Sequence, residues 1–146
     1  MKLNNWYNPF VVFILRSPLH RMLSQSMMLV TVTGKKSGRQ FTIPVNYLCK
    51  GGEFLTVSWR KRTWWRNLCS GAPAILCVKG QVLQSVGEAI TDEVSVTAEL
   101  ARYLGQMPHY AKYFRVELDT TGTPNAVEVA QAARERVMVR FRAAPG

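Results

Sequence analysis

From Met28 onward the side chains keep a period of two, and that period dominates what this chain can fold into. Met28, Val30 and Val32 alternate with Leu29, Thr31 and Thr33. After Gly34-Lys35-Lys36-Ser37-Gly38, the residues Phe41, Ile43, Val45, Tyr47 and Cys49 alternate with Gln40, Thr42, Pro44, Asn46 and Leu48. Such alternation is the mark of strands with one buried face. Lys50-Gly51-Gly52-Glu53 reads as a turn into Phe54–Ser58, and Lys79-Gly80 as a two-residue hairpin loop between Ala74–Val78 and Gln81–Ile90. Near the end, Val137, Val139 and Phe141 face one way while Arg136, Arg140 and Arg142 face the other. Six strands paired mainly as antiparallel hairpins predict a small α+β fold, an antiparallel barrel with flanking helices.

Helical spacing occurs on both sides of the strands. Phe10, Phe13 and Ile14 suggest one short helix, and Ser17-Pro18 opens a second with Leu19, Met22 and Leu23 on its apolar stripe, giving a helical segment at about 9–25. Arg16, His20 and Arg21 stay off that stripe, so the segment either packs on the core or touches a membrane surface as a basic amphipathic helix. Trp64–Ser70 reads as a short helix between hairpins. Thr91 is expected to cap a helix that begins Asp92-Glu93 and stops at Gly105, and Thr123-Pro124 to open another carrying Val127, Ala130 and Ala133.

At 146 residues the chain is expected to form a single domain over 1–146. Hydrophobic residues at 47% against 19% charged exclude a disordered chain. The charge is uneven: residues 1–80 hold 12 basic and 1 acidic side chains, and residues 81–146 hold 7 and 8. A half so poor in acids suggests a surface that meets anions, whether nucleic acid, acidic lipid or a phosphorylated cofactor. Cys49, Cys69 and Cys77 fit no disulfide framework or metal spacing and read as buried thiols of a reducing cytosol. Pro9–Leu15 is too short an apolar run to span a bilayer. The expected location is the cytoplasm; the alternative is a peripheral membrane position through the first helices.

The chemistry is narrowed first by exclusion. The chain has no dinucleotide-binding glycine fingerprint, phosphate-loop motif, zinc-protease motif or C-x-x-C pair. His20 and His109 have no obvious nucleophile beside them, and acids are too few in the first half for a carboxylate pair. An enzyme built from these residues would rely on a bound cofactor, with no metal. Two basic constellations remain. Lys35, Lys36, Ser37 and Arg39 stand on a glycine-flanked turn whose amides can converge on an anion, unless the turn is simply a solvated hairpin tip. Trp59-Arg60-Lys61-Arg62-Thr63-Trp64-Trp65-Arg66-Asn67 holds three tryptophans among four bases, which can anchor a core, wall a planar ring or stack nucleic-acid bases.

Leu29–Gly38, then Ile43-Pro44, then Trp64-Trp65-Arg66-Asn67-Leu68 together resemble the deazaflavin-dependent nitroreductase and quinone reductase family. The family's T-G-R-K-[ST]-G signature stands here with Lys35 in place of arginine, and the resemblance runs over roughly residues 9–142. It implies a split β-barrel similar to flavin-mononucleotide-binding oxidases, and coenzyme F420, a deazaflavin with a phosphate and an oligoglutamate tail. On this resemblance Lys35, Lys36 and Ser37 hold the phosphate and acidic tail, and Arg39 substitutes for a basic residue the family often has at the position of Phe41. Pro44, the backbone around Ser58, Trp64, Trp65 and Asn67 lie beside the ring, with Trp59 and Arg60 in the place of a lysine-glycine pair. Pro108–Tyr113 resembles the family's P-x-Y-x-x-Y stretch, which makes Tyr110 and Tyr113 candidate proton donors or orienters of a water, with Ser58 as a candidate to bond the acceptor's oxygen.

The expected function is hydride transfer from a reduced deazaflavin to a small hydrophobic acceptor that is quinone-like, nitroaromatic or an enone. The alternatives are the same barrel using flavin mononucleotide (FMN), or binding a tetrapyrrole or lipid, and a single-stranded nucleic-acid module using Arg60–Arg66.

Overall fold

The computed structural model describes residues 27–143; the helical segment expected at 9–25 lies outside them. Seven strands form one antiparallel sheet: β1 (Met27–Thr33), β2 (Gln40–Asn46), β3 (Leu48–Lys50), β4 (Glu53–Trp59), β5 (Ala72–Val78), β6 (Gln81–Ile90) and β7 (Arg136–Ala143), in the order β2-β1-β5-β6-β7-β4-β3. A 3-10 helix, Trp64–Leu68, joins β4 to β5. Helix α1 (Glu93–Gln106), a second 3-10 helix (Pro108–Phe114) and helix α2 (Ala126–Ala133) lie between β6 and β7.

The strand expected at 41–49 is two strands. β2 pairs with β1 up to Asn46, opposite Met27, and β3 pairs with β4 from Leu48, opposite Leu55. The chain changes partner at Tyr47, which is buried with its ring 5.6 Å from Phe54. The Thr56 hydroxyl donates to the Asn46 carbonyl at the same point. One continuous stretch thus belongs to both edges of the sheet, which curls it into a split barrel. Pro44, which has no N–H for a ladder, stands on β2 at the sheet edge.

Strand alternation creates two cores. Met28, Val30, Val32, Leu76, Val137, Val139 and Phe141 fill the barrel, with Trp64, Trp65 and Leu68 of the first 3-10 helix among them. Leu55 and Met138, on the opposite face of β4 and β7, pack under Val96, Leu100 and Leu104 of α1 and Val129 and Ala133 of α2. The helical caps differ slightly from expectation. Asp92, not Thr91, caps α1 by accepting from the Ser95 amide at 2.9 Å; hydrogen bonding from the Ser95 side chain, and then from its amide, holds the carboxyl below the usual range. Asn125 caps α2 by accepting from the Glu128 amide at 3.0 Å, and Pro124 instead bridges Leu118. The expectation of buried thiols holds for Cys77 alone. Cys49, on the edge strand β3, and Cys69, just past the first 3-10 helix, are exposed.

Gly87 of β6 sits where the barrel core is tightest. A Cβ there would stand 2.8 Å from Cε1 of Phe141 and 3.1 Å from Cδ1 of Leu68. Gly87→Ala is therefore expected to destabilise the protein by roughly 1–3 kcal/mol through overpacking. Chemical denaturation measures it, and an unchanged midpoint would refute the close packing.

Candidate active site

The basic turn is an ordered loop, pinned to the first 3-10 helix. Gly34 donates to the Arg39 carbonyl at 2.8 Å, and Gly38, at φ +70°, donates back to the Gly34 carbonyl at 2.9 Å. The Ser37 hydroxyl accepts from the Arg39 amide at 3.2 Å. The Lys35 amide donates to Asn67 Oδ1 at 3.0 Å, and Asn67 Nδ2 donates to the Trp64 carbonyl at 3.1 Å. Asn67 therefore couples the loop to the tryptophan segment, leaving the side chains of Lys35, Lys36 and Arg39 exposed to solvent.

At the other end of β2 a cleft of about 290 Å³ opens between β2 and β4. Pro44, Val45 and Asn46 line one wall; Val57, Ser58 and Trp59 line the other, and Trp64 and Arg62 also border it. Ser58 is buried, and its hydroxyl is engaged: it donates to the Trp59 carbonyl at 3.1 Å and accepts from Trp64 Nε1 at 3.0 Å. Trp65 Nε1 donates to the same carbonyl at 3.3 Å. Trp64 and Trp65 are both core side chains, and of the two Trp64 also borders the cleft. Trp59 is 41% exposed, with the Arg136 guanidinium 3.3 Å from its ring centroid and the Lys61 ammonium at 5.3 Å. Arg60 is turned away from the cleft. Its guanidinium donates to the carbonyls of Thr91 at 2.8 Å, Arg136 at 3.0 Å and Arg134 at 3.3 Å, tying β4 to the start of β7.

A second cavity, of about 320 Å³, adjoins the first. Asn46 and Val57 line both; Tyr103, Tyr110, Tyr113 and Phe114 complete the second. The Tyr110 hydroxyl donates to Asn46 Oδ1 at 3.2 Å. Its ring stacks on Tyr103 with centroids 6.4 Å apart and lies 6.1 Å from Tyr113. Tyr103 is buried, and burial, with Tyr110 adding to it, pushes its hydroxyl well above the ordinary tyrosine range. Tyr113 is 67% exposed at the mouth.

The fold thus gathers Pro44, Ser58, Trp59, Trp64, Tyr110 and Tyr113 around two cavities that share Asn46 and Val57, and holds Lys35, Lys36, Ser37 and Arg39 at the far end of β2. Trp65 and Arg60 serve the frame. Asn46, Val57, Tyr103 and Phe114 also belong to the site and carry no motif of their own. Asn46 shares its strand face with Gln40 and Thr42, so nothing in the alternation sets it apart. Among the described residues no group of three or more His, Cys, Asp or Glu side chains could hold a metal ion, and no helix is long and apolar enough to cross a membrane.

The fold is a split barrel of the kind found in FMN-binding proteins. A pyridoxamine 5'-phosphate oxidase-related, FMN-binding protein from Nostoc punctiforme superposes with a TM-score of 0.56 at 10% identity, over 98% of this chain and 83% of that one. An F420-H2-dependent reductase (FDR-A) gives 0.52 at 18% identity, over 81% and 96%. Atu2129 of Agrobacterium tumefaciens, of unknown function, gives 0.54 at 17% identity; the match covers 95% of this chain but only 56% of that one. No curated protein matches the sequence. The sequence profile of the F420H2-dependent quinone reductases matches residues 17–132, and the chain belongs to that family. It is an oxidoreductase, a deazaflavin-dependent reductase with coenzyme F420 as its cofactor.

Because Asn67 alone ties the Lys35 amide to the tryptophan segment, Asn67→Ala is expected to cost about 1–3 kcal/mol and to speed hydrogen exchange at that amide. Unchanged exchange, read by NMR, would show that the loop holds its shape without Asn67.

Proposed function

We propose that this chain reduces a quinone-like acceptor, holding the cofactor tail at Lys35, Lys36, Ser37 and Arg39, the ring in the β2–β4 cleft and the acceptor in the tyrosine-lined cavity. The observation that carries this reading is the meeting of the two cavities at Asn46 and Val57, with a cationic loop at the other end of β2. Seven residues of strand at ~3.3 Å each separate the loop from Asn46 by ~20 Å, a span suited to a molecule with an anionic tail at one end and a ring at the other. Three cations without a neighbouring acid suit a phosphate and carboxylates, and the apolar walls of Val57, Trp59 and Trp64 suit a planar ring. The donor set therefore fits coenzyme F420.

When bound and reduced, the cofactor supplies a hydride. The chain's own residues do the rest. Lys35, Lys36 and Arg39 offset the charge of the tail. Ser58 fixes the Trp64 indole by accepting its N–H, and Arg136 fixes Trp59, so both aromatic walls stand ready before binding. Asn46 orients the Tyr110 hydroxyl at the junction of the cavities. From there Tyr110 turns its proton from Asn46 Oδ1 to the acceptor's oxygen as negative charge develops on it. Phe114 and Tyr113 narrow the mouth of the acceptor cavity against water. The aromatic lining favours flat acceptors; nitroaromatics and enones of similar size are further candidates.

Fluorescence titration with oxidised coenzyme F420, in parallel with FMN, tests the cofactor assignment: saturable deazaflavin binding that exceeds flavin binding is expected. Lys36→Ala should weaken the deazaflavin by ~1–3 kcal/mol, and an unchanged Kd would remove Lys36 from the tail site. Tyr110→Phe should lower kcat on a benzoquinone on the order of 100-fold while the cofactor Kd stays put. Full activity in that variant would assign the proton to solvent.

A further inference from the structure

We propose that Arg102, Arg140, Arg142 and Lys50 form a second anion-binding site, on the helical side of the sheet, that takes a carboxylate or phosphate group. Antiparallel register sets the arginines on one face: Arg142 stands opposite Glu53, Arg140 opposite Leu55, and Met138 opposite Val57. Residues two apart on a strand share a face and lie ~6–7 Å apart. Val57 lines the acceptor cavity, while Leu55 and Glu53, the next two steps on the same face, line a separate cavity of about 350 Å³. Helix α1 spans both, with Tyr103 on the acceptor cavity and Arg102 on the arginine cavity. This cavity lies beyond Asn46, at the opposite end of the β2–β3 run from Lys35 and Lys36.

The charges there do not balance. Glu53 contacts Arg140 Nε at 3.1 Å and Arg142 Nε at 3.5 Å; Glu99 contacts Arg102 Nη2 at 2.7 Å and Arg140 Nη2 at 3.3 Å. Two carboxylates are shared among three guanidiniums, Lys50 adds a fourth cation to the lining and Glu88 stands opposite Arg140 in the β6–β7 ladder, so four positive charges meet three negative ones. Arg140 Nε is buried and, despite its closeness to Glu53, has no aligned hydrogen-bond acceptor. A surplus of cations around a half-enclosed space is the arrangement that a planar anion completes through paired N–H bonds.

The anion has two sources of the same chemistry: a free metabolite, or an acidic substituent on an acceptor whose ring sits at Tyr110. Isothermal titration of the full chain with citrate and with inorganic pyrophosphate tests the site without any turnover. Saturable binding is expected in the wild type, retained in Lys35→Ala/Lys36→Ala and weakened by about tenfold or more in Arg102→Ala/Arg142→Ala. Arg102 and Arg142 side chains are 42% and 64% exposed, so the pair is removed with the fold intact, as an unchanged circular dichroism spectrum will verify. Arg140→Gln supplies an independent variant with the same expected loss. No saturable binding in the wild type, or binding lost with the lysines and kept without the arginines, overturns the site.

The source is read from a benzoquinone bearing a carboxylate chain and its methyl ester, an arm that rests on the reductase reading. A KM raised about tenfold for the acid alone in Arg102→Ala/Arg142→Ala assigns the anion to the acceptor. Equal KM values alongside lost citrate binding assign it to a free anion. Citrate binding that follows the arginines in a protein that fails to bind deazaflavin would keep this site and discard the reductase reading.

Discussion

The β4–β7 ladder is buried on both faces, and every other feature of the molecule depends on how its residues divide between them. Strand geometry leaves no choice: successive side chains point to opposite sides, and paired residues on antiparallel neighbours share a side. Phe54, Thr56 and Ser58, with Phe141, Val139 and Val137 across from them, are thereby committed to the barrel. Leu55 and Val57, with Met138 across from Val57, are committed to the helical layer. A slip of one residue would place Arg136, Arg140 and Arg142 in the barrel core, so the hydrophobic effect fixes the register firmly.

That division also builds the site. Ser58 turns inward and accepts the Trp64 indole N–H, while its neighbours Val57 and Trp59 turn outward, and all three border the same cleft. Trp59 lies opposite Arg136 in the ladder, which brings the guanidinium onto its ring; the same guanidinium is 5.0 Å from the ring of Phe114 in the acceptor cavity. Arg136 is buried, and burial lowers its affinity for a proton despite the opposing pull of Glu135. It thus touches the wall of one cavity and the wall of the next.

Much of this was legible in the chain. The period of two located every long strand, and the division of Val137, Val139 and Phe141 from Arg136, Arg140 and Arg142 is the one observed. The glycine-flanked cations stood out because acids are missing around them. What escaped was whatever depends on partners distant in sequence. Nothing local in Phe41–Cys49 marks the change of partner at Tyr47, because both halves keep the same alternation. Arg60 looked like a ligand-binding cation because its sequence neighbours are basic; its guanidinium is used on three carbonyls, two of them more than seventy residues away. Asn46 and Tyr103 had no motif to announce them, and they matter only because the fold brings α1 and the second 3-10 helix over β2 and β4.

Fold class and cationic loop were readable because alternation, turn residues and charge are properties of neighbours along the chain, and the family because its motifs are short and local. Packing across the sheet sets which tryptophans border the cleft, that the Tyr110 hydroxyl meets Asn46, and that three arginines converge on one cavity. Those outcomes depend on strand register and on helices packed across a sheet, and no local pattern encodes a distance between residues that meet only after the chain has closed on itself.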